Sequence, residues 1–141
     1  MKPRHGEEGT VTAFVVIFTF ALVMLAGLVL DGGLTLAAKV QAVDEAQAAA
    51  RAGAQAVDVP LLRSTGQVVL DASLARQDAM VYLATTGHTG VVQVDGNEVE
   101  VSVTITQPMQ ILGLGGIGSI TVTGRGSAVP AHGVYAGATG P

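Results

Sequence analysis

Residues 10–30 read TVTAFVVIFTFALVMLAGLVL, 21 positions without a charged side chain, closed off by Glu8 on one side and Asp31 on the other. At ~1.5 Å per residue a helix of this length covers roughly 31 Å, about the thickness of a bilayer's hydrocarbon layer. The run has no polar face of the kind a surface helix keeps, and a chain of 141 residues offers no core wide enough to enclose it. It therefore reads as a membrane span, with lipid as its expected partner. A cleavable secretory signal is the competing reading. Such a signal has an apolar part of about 7–15 residues ending at a small-x-small site. This run is longer, and Ala26-Gly27-Leu28 is the nearest approach to a cleavage site. A retained anchor is expected.

Before the span, residues 1–9, MKPRHGEEG, form a short polar leader in which Lys2 and Arg4 are the firm positive charges. After it, Lys39 alone lies close enough to count. Since positive residues near a span favour the cytoplasm while Glu7 and Glu8 carry little weight, the expectation is a single-pass protein of the cell membrane. Its N-terminus is placed in the cytoplasm and its C-terminal part outside.

Beyond Asp31-Gly32-Gly33, residues 34–57 return to helical composition. Leu36, Val40, Val43, Gln47, Ala50, Ala54 and Val57 are spaced alternately by four and three, one heptad seam, and Lys39, Asp44, Glu45 and Arg51 fall off it. Two readings stand side by side. Either the seam of this Ala-rich segment takes the close approach of another helix or a sheet, or this is a plain helix packed on its own domain. The glycine pair is expected to bend the helix rather than end it, giving one rod over residues 10–57, roughly 70 Å long. Pro60 should stop it, because the residue before a proline leaves helical geometry. Residues 31–58 thus form a projecting amphipathic helix.

A link over residues 61–66 leads to Asp71, placed to cap a helix over 72–85, with Leu70 able to staple against Ala75 and Gly87 to end it. Residues 91–94 and 97–106 then read as strands joined at Asp95-Gly96, a two-residue hairpin signal. Val99, Val101, Val103 and Ile105 take one face of the second strand; Glu100, Ser102, Thr104 and Thr106 take the other. Pro108 breaks the pattern, ILGLGGIG crosses over as a flexible apolar loop, and residues 119–123 give a third strand. The fold class is α+β, with a head over 59–129 made of a short helix and a small antiparallel three-stranded sheet lying on a helix. The tail, residues 130–141, is Gly, Ala and Pro without periodicity and is expected to be flexible.

Composition narrows the function. Residues beyond the anchor suffice for one small module. A net charge of -4, with seven Lys and Arg scattered singly, excludes a patch that could follow a phosphate backbone, so no nucleic acid is expected. The chain has no Cys, hence no disulfide and no thiolate metal site. Gly113-Leu114-Gly115-Gly116-Ile117-Gly118 matches G-x-G-x-x-G, but a dinucleotide site needs a helix after the glycines and an acidic residue about 20 positions on. Here a strand pattern follows, and no Asp or Glu occurs after Glu100. His5, His88 and His132 have no ligand spacing, and adjacent Asp44 and Glu45 suit a solvated helix face better than an acid/base pair. No catalytic residue, metal, cofactor or small-molecule substrate is expected; a structural protein is, rather than an enzyme.

With the span and the following helix in view, the stretch from Gly9 to Val57 resembles the N-terminus of TadE/TadG-like proteins, accessory subunits of tight-adherence (Flp-type) pili. The resemblance covers about residues 6–57. It rests on Gly9 before the apolar run, Asp31-Gly32-Gly33 just beyond it, and the close of the Ala-rich helix in Ala52-Gly53-Ala54-Gln55-Ala56. In the head, LDASLARQDAMVYLATTG followed by a Val-rich hairpin is similar to short actinobacterial members. The resemblance implies a type IV pilin-like long helix with a small α+β head. It also implies cleavage by a membrane prepilin peptidase between Gly9 and Thr10, and other pilin-like or pilus-assembly subunits as partners. One departure stands out: the fifth mature position, Glu in most pilins, is Phe14 here. Two functions follow, a minor pilin, pseudopilin or assembly component, and a membrane-anchored envelope protein that shares only the anchor.

Overall fold

The computed structural model describes residues 8–131. With no proline between Pro3 and Pro60 to interrupt it, the apolar run continues into the Ala-rich segment as one helix, α1 (Glu8–Gly53), of 46 residues. Gly32 and Gly33, each costing about 1 kcal/mol relative to Ala, do not end it. It stops at Gly53 rather than at the expected Val57. A methyl group on Gly53 would come within 2.7 Å of the Ala75 carbonyl oxygen, and Val57 leaves the helix to form an isolated antiparallel bridge with Leu70.

Pro60 corrects the sequence reading. Instead of only stopping a helix it opens one, α2 (Val59–Thr65), where a proline in the first turn gives up an N–H that has no helical partner anyway. Asp58 caps this helix by accepting from the Leu61 N–H at 2.9 Å, and Gly66, at φ 73°, closes it. Asp71 caps α3 (Ala72–Thr86) through the Ser73 and Leu74 N–H groups. Gly87 ends α3 as expected.

Strands β1 (Thr89–Asp95), β2 (Glu98–Pro108) and β3 (Ser119–Ala128) form one sheet in the order β1-β2-β3. β1 and β2 are antiparallel with Val92 opposite Val101 and Asp95 opposite Glu98. That register moves the turn one residue on, to Gly96-Asn97. Gly96 has φ 55°, which suits the turn type that takes glycine first. Asn97 is freed to hold the loop before α3, donating to the Val68 carbonyl at 2.8 Å and accepting from the Leu70 N–H at 2.9 Å.

The chain divides into two compact units: residues up to Ala37 with Thr106–Thr121, and Ala38–Ile105 with residues from Val122 on. In the second unit, Val99, Val101, Val103 and Ile105 face inward as their alternation predicts, joined by Ala75, Ala79 and Leu83 of α3. The α1 contribution is a stripe of Ala38, Ala42, Ala46, Ala49 and Gly53. Against it, β3 presents glycines. A Cβ on Gly124 would sit 2.2 Å from the Ala42 carbonyl carbon, and one on Gly126 would sit 2.4 Å from the Gln47 nitrogen. Strand and helix backbones are therefore in direct contact, which only residues this small permit.

Candidate functional site

Gly9 and Thr10, the expected cleavage pair, lie in the first turn of α1, both exposed. Phe14 is 66% exposed and stacks on Phe18, ring centroids 5.8 Å apart and 10° between planes. The large apolar side chains of residues 11–30 are exposed to a similar degree, so the helix keeps apolar groups on all sides with no protein against most of them. It is long and apolar enough to cross a membrane.

The seam residues divide. Ala50 and Ala54 are in the core, Val43 and Val57 are half-buried, and Leu36, Val40 and Gln47 are exposed. The stripe that α1 buries is displaced from the one that apolar spacing marks, because the glycine-lined strand accepts alanines and excludes Leu36 and Val40. Glu45 is likewise not on a solvated face: its carboxylate meets the His88 Nδ1 at 2.9 Å and accepts from Gln41 Nε2 at 2.8 Å. Asp44 beside it is exposed. No group of three or more His, Cys, Asp or Glu able to hold a metal occurs among the described residues. The leader with His5 and all but the first two residues of the tail, His132 included, lie outside them.

The most ordered polar arrangement in the first unit was not read from the sequence. Asp31 is 1% exposed, the one buried charged side chain among the described residues. Its carboxylate accepts from three consecutive backbone N–H groups, Gln110 at 2.8 Å, Ile111 at 3.0 Å and Leu112 at 2.8 Å. Successive N–H groups converging in this way form an anion-binding concavity, and the anion is the chain's own carboxylate. The segment expected to be a flexible loop is in part a short 3-10 helix, Leu112–Gly115, closed by Gly116 at φ 97°. The missed signal was an acidic residue at the very end of an apolar run, which is costly to bury unless donors are waiting for it.

An exposed apolar helix long enough to cross a membrane, running on into an alanine-cored α+β head, defines the class of fold. Residues 9–56 match the family model described as "Putative Flp pilus-assembly TadE/G-like". This stretch holds the Gly9, Asp31-Gly32-Gly33 and Ala-rich features on which the resemblance rests, so the chain carries a TadE/G-like segment. The match implies a pilus-associated role, structural or in assembly. Comparison with curated proteins gives no match, and neither does comparison with solved structures.

Proposed function

We propose that this chain is a low-copy accessory subunit, a minor pilin or pseudopilin, or an assembly factor of a tight-adherence pilus. It is held in the cell membrane by residues 10–30, with its N-terminus in the cytoplasm and the head outside. A prepilin peptidase cuts between Gly9 and Thr10 and leaves the span in place. The observation that carries this reading is the family match at residues 9–56, laid over an apolar helix whose side chains are free to meet lipid.

Phe14 supports the low copy number. In pilin-like fibres a Glu at the fifth mature position is thought to pair with the new N-terminal amine of a neighbouring subunit, a contact that gains strength from the low dielectric of a helical core. Phe14 offers no carboxylate. An amine left without its partner is tolerable once, at a tip or base, and costly when repeated along a homopolymer. Partner subunits of the same class would meet the seam residues that the chain leaves exposed, Leu36 and Val40 among them.

Quantitative mass spectrometry of sheared pili against the membrane fraction tests this. The protein is expected mostly in the membrane and far below the major pilin in the fibre; its appearance as the dominant fibre protein would overturn the argument from Phe14. If it lies beside no assembly ATPase, prepilin peptidase or small Flp-like pilin in the genome, the reading as an unrelated anchored envelope protein takes its place.

A further inference from the structure

The segment from Gln110 to Gly118 runs beside the last two turns of the apolar stretch. A Cβ added to Gly27 would lie 2.6 Å from Ile111 Cγ2, and one added to Gly115 would lie 3.8 Å from Met24 Sδ. Gly27 and Met24 are four and seven residues inside Asp31, which places these approaches roughly 6 and 10 Å along the helix towards the centre of the span. The loop nevertheless points large apolar groups away from the protein: Leu114 is 83% exposed and Ile117 50%. No charged residue occurs between Glu100 and Arg125.

We propose that residues 110–118 are a second membrane-contacting element, an apolar loop seated in the interfacial layer of the bilayer on the head side of the span. This rests on the reading of residues 10–30 as a membrane anchor. Its occupant is lipid rather than another protein because the loop lies beside the last turns of the span and carries no charge, and lipid rather than water because of the backbone. Non-helical chain enters an apolar medium only when its polar groups are satisfied from within, each unmet group costing several kcal/mol. Here Gln110, Ile111 and Leu112 donate to Asp31. Met109 donates to Gly118 at 3.0 Å, Leu114 to Ile111 at 3.0 Å, Gly116 to Gly113 at 3.1 Å and Ile117 to Leu112 at 3.2 Å. A loop in water has no need of these bonds, because water would serve the same groups. Asp31 brings the anion with it, so that three adjacent N–H groups are met without solvent. A depth of about 5–10 Å is also what amphipathic interfacial segments reach.

The chain has no native cysteine, so single labelling sites are unambiguous. The full-length protein would be reconstituted in phosphatidylcholine/phosphatidylglycerol vesicles with an environment-sensitive fluorophore on Leu114→Cys. Phe18→Cys serves as the reference inside the span and Gln77→Cys, exposed on α3, as the reference in water. The expected result for the Leu114 probe is blue-shifted emission, quenching by lipids spin-labelled near the headgroup, and loss of the iodide quenching seen at Gln77. Iodide quenching at Leu114 equal to that at Gln77, with Phe18 still quenched by lipid, would overturn the proposal while leaving the anchor intact. Aqueous behaviour at Phe18 as well would mean that the anchor reading itself had failed. A Leu114 probe shielded from both quenchers would show protein covering the loop and would also overturn the proposal. Asp31→Asn in the Leu114→Cys background should return the probe towards water with Phe18 unchanged; an unmoved probe would overturn the part assigned to Asp31.

Discussion

Two stretches of α1 are equally helical and each presents an apolar face, yet they are built for different surroundings. Residues 10–30 carry Phe, Ile, Leu and Val on every side, and those side chains are exposed. From Ala38 to Gly53 the buried stripe is alanine and glycine, with Ala42, Ala46 and Ala49 at 0% exposure. Bulky groups all round suit a fluid medium that closes around any shape. A narrow stripe of small residues suits a solid neighbour, here a strand whose own glycines bring two backbones together. Side-chain size on the apolar face, read together with the charges Lys39, Asp44, Glu45 and Arg51 that flank the alanine stripe, tells which kind of partner each stretch has.

That contrast can be broken most severely in the head. Val101→Asp places an unpaired charge at a fully buried position, and an uncompensated charge of this kind costs upwards of about 4 kcal/mol against a total stability of about 5–15. Limited proteolysis should show a head degraded throughout; unchanged resistance would mean that the inward face of β2 is wrongly assigned. Next comes Gly124→Val, which drives carbon into the α1 backbone and should cost about 3 kcal/mol, at the upper end for overpacking. It should speed hydrogen exchange along β3, and exchange at the parent rate would deny the close approach.

A smaller effect belongs to Asp71. The hydroxyl of Ser73 and the Leu74 and Ser73 N–H groups hold its carboxyl below the ordinary carboxylate range. A depressed value means that its contribution is complete above the unfolded value of about 3.9 and is lost as pH falls through the folded one. Amide exchange in the first turn of α3 should therefore accelerate under acid, and in Asp71→Asn that acceleration should disappear. Smallest of all is Val29→Leu, which adds one methylene to an exposed site on the span and should leave the protease resistance of the head unchanged. A measurable loss there would show that residues 10–30 pack as tightly as the alanine stripe.

Much of this was legible in the sequence because the controlling physics is local. An uncharged run of membrane length, the Asp71 cap, the Gly87 stop and the alternation of Val99, Val101, Val103 and Ile105 each depend on neighbours a few residues away. Pro60 was misread because a proline halts the helix before it and starts the helix after it equally well, and Asp58 decided the matter. The hairpin turn was set one residue early because Asp-Gly and Gly-Asn are both sound turn pairs; the choice fell to the distant contacts Asn97 makes with Val68 and Leu70. Hidden altogether were the Asp31 carboxylate with its three donors 79 to 81 residues away, and the pairing of Glu45 with His88. Apolar spacing also favoured the seam through Leu36 and Val40 over the alanine stripe, since nothing local announces that a glycine-lined strand will come to rest there.

The central proposal is that residues 10–30 are a retained anchor of a pilus-associated protein, and the mature N-terminus tests it most directly. Mass spectrometry of the chain isolated from the membrane fraction should find Thr10 as the first residue, with the whole apolar run still attached. A chain beginning beyond Ala26, released from the membrane, would contradict the anchor. A chain retained in the membrane with Gly9 and Thr10 still joined would contradict processing by a prepilin peptidase.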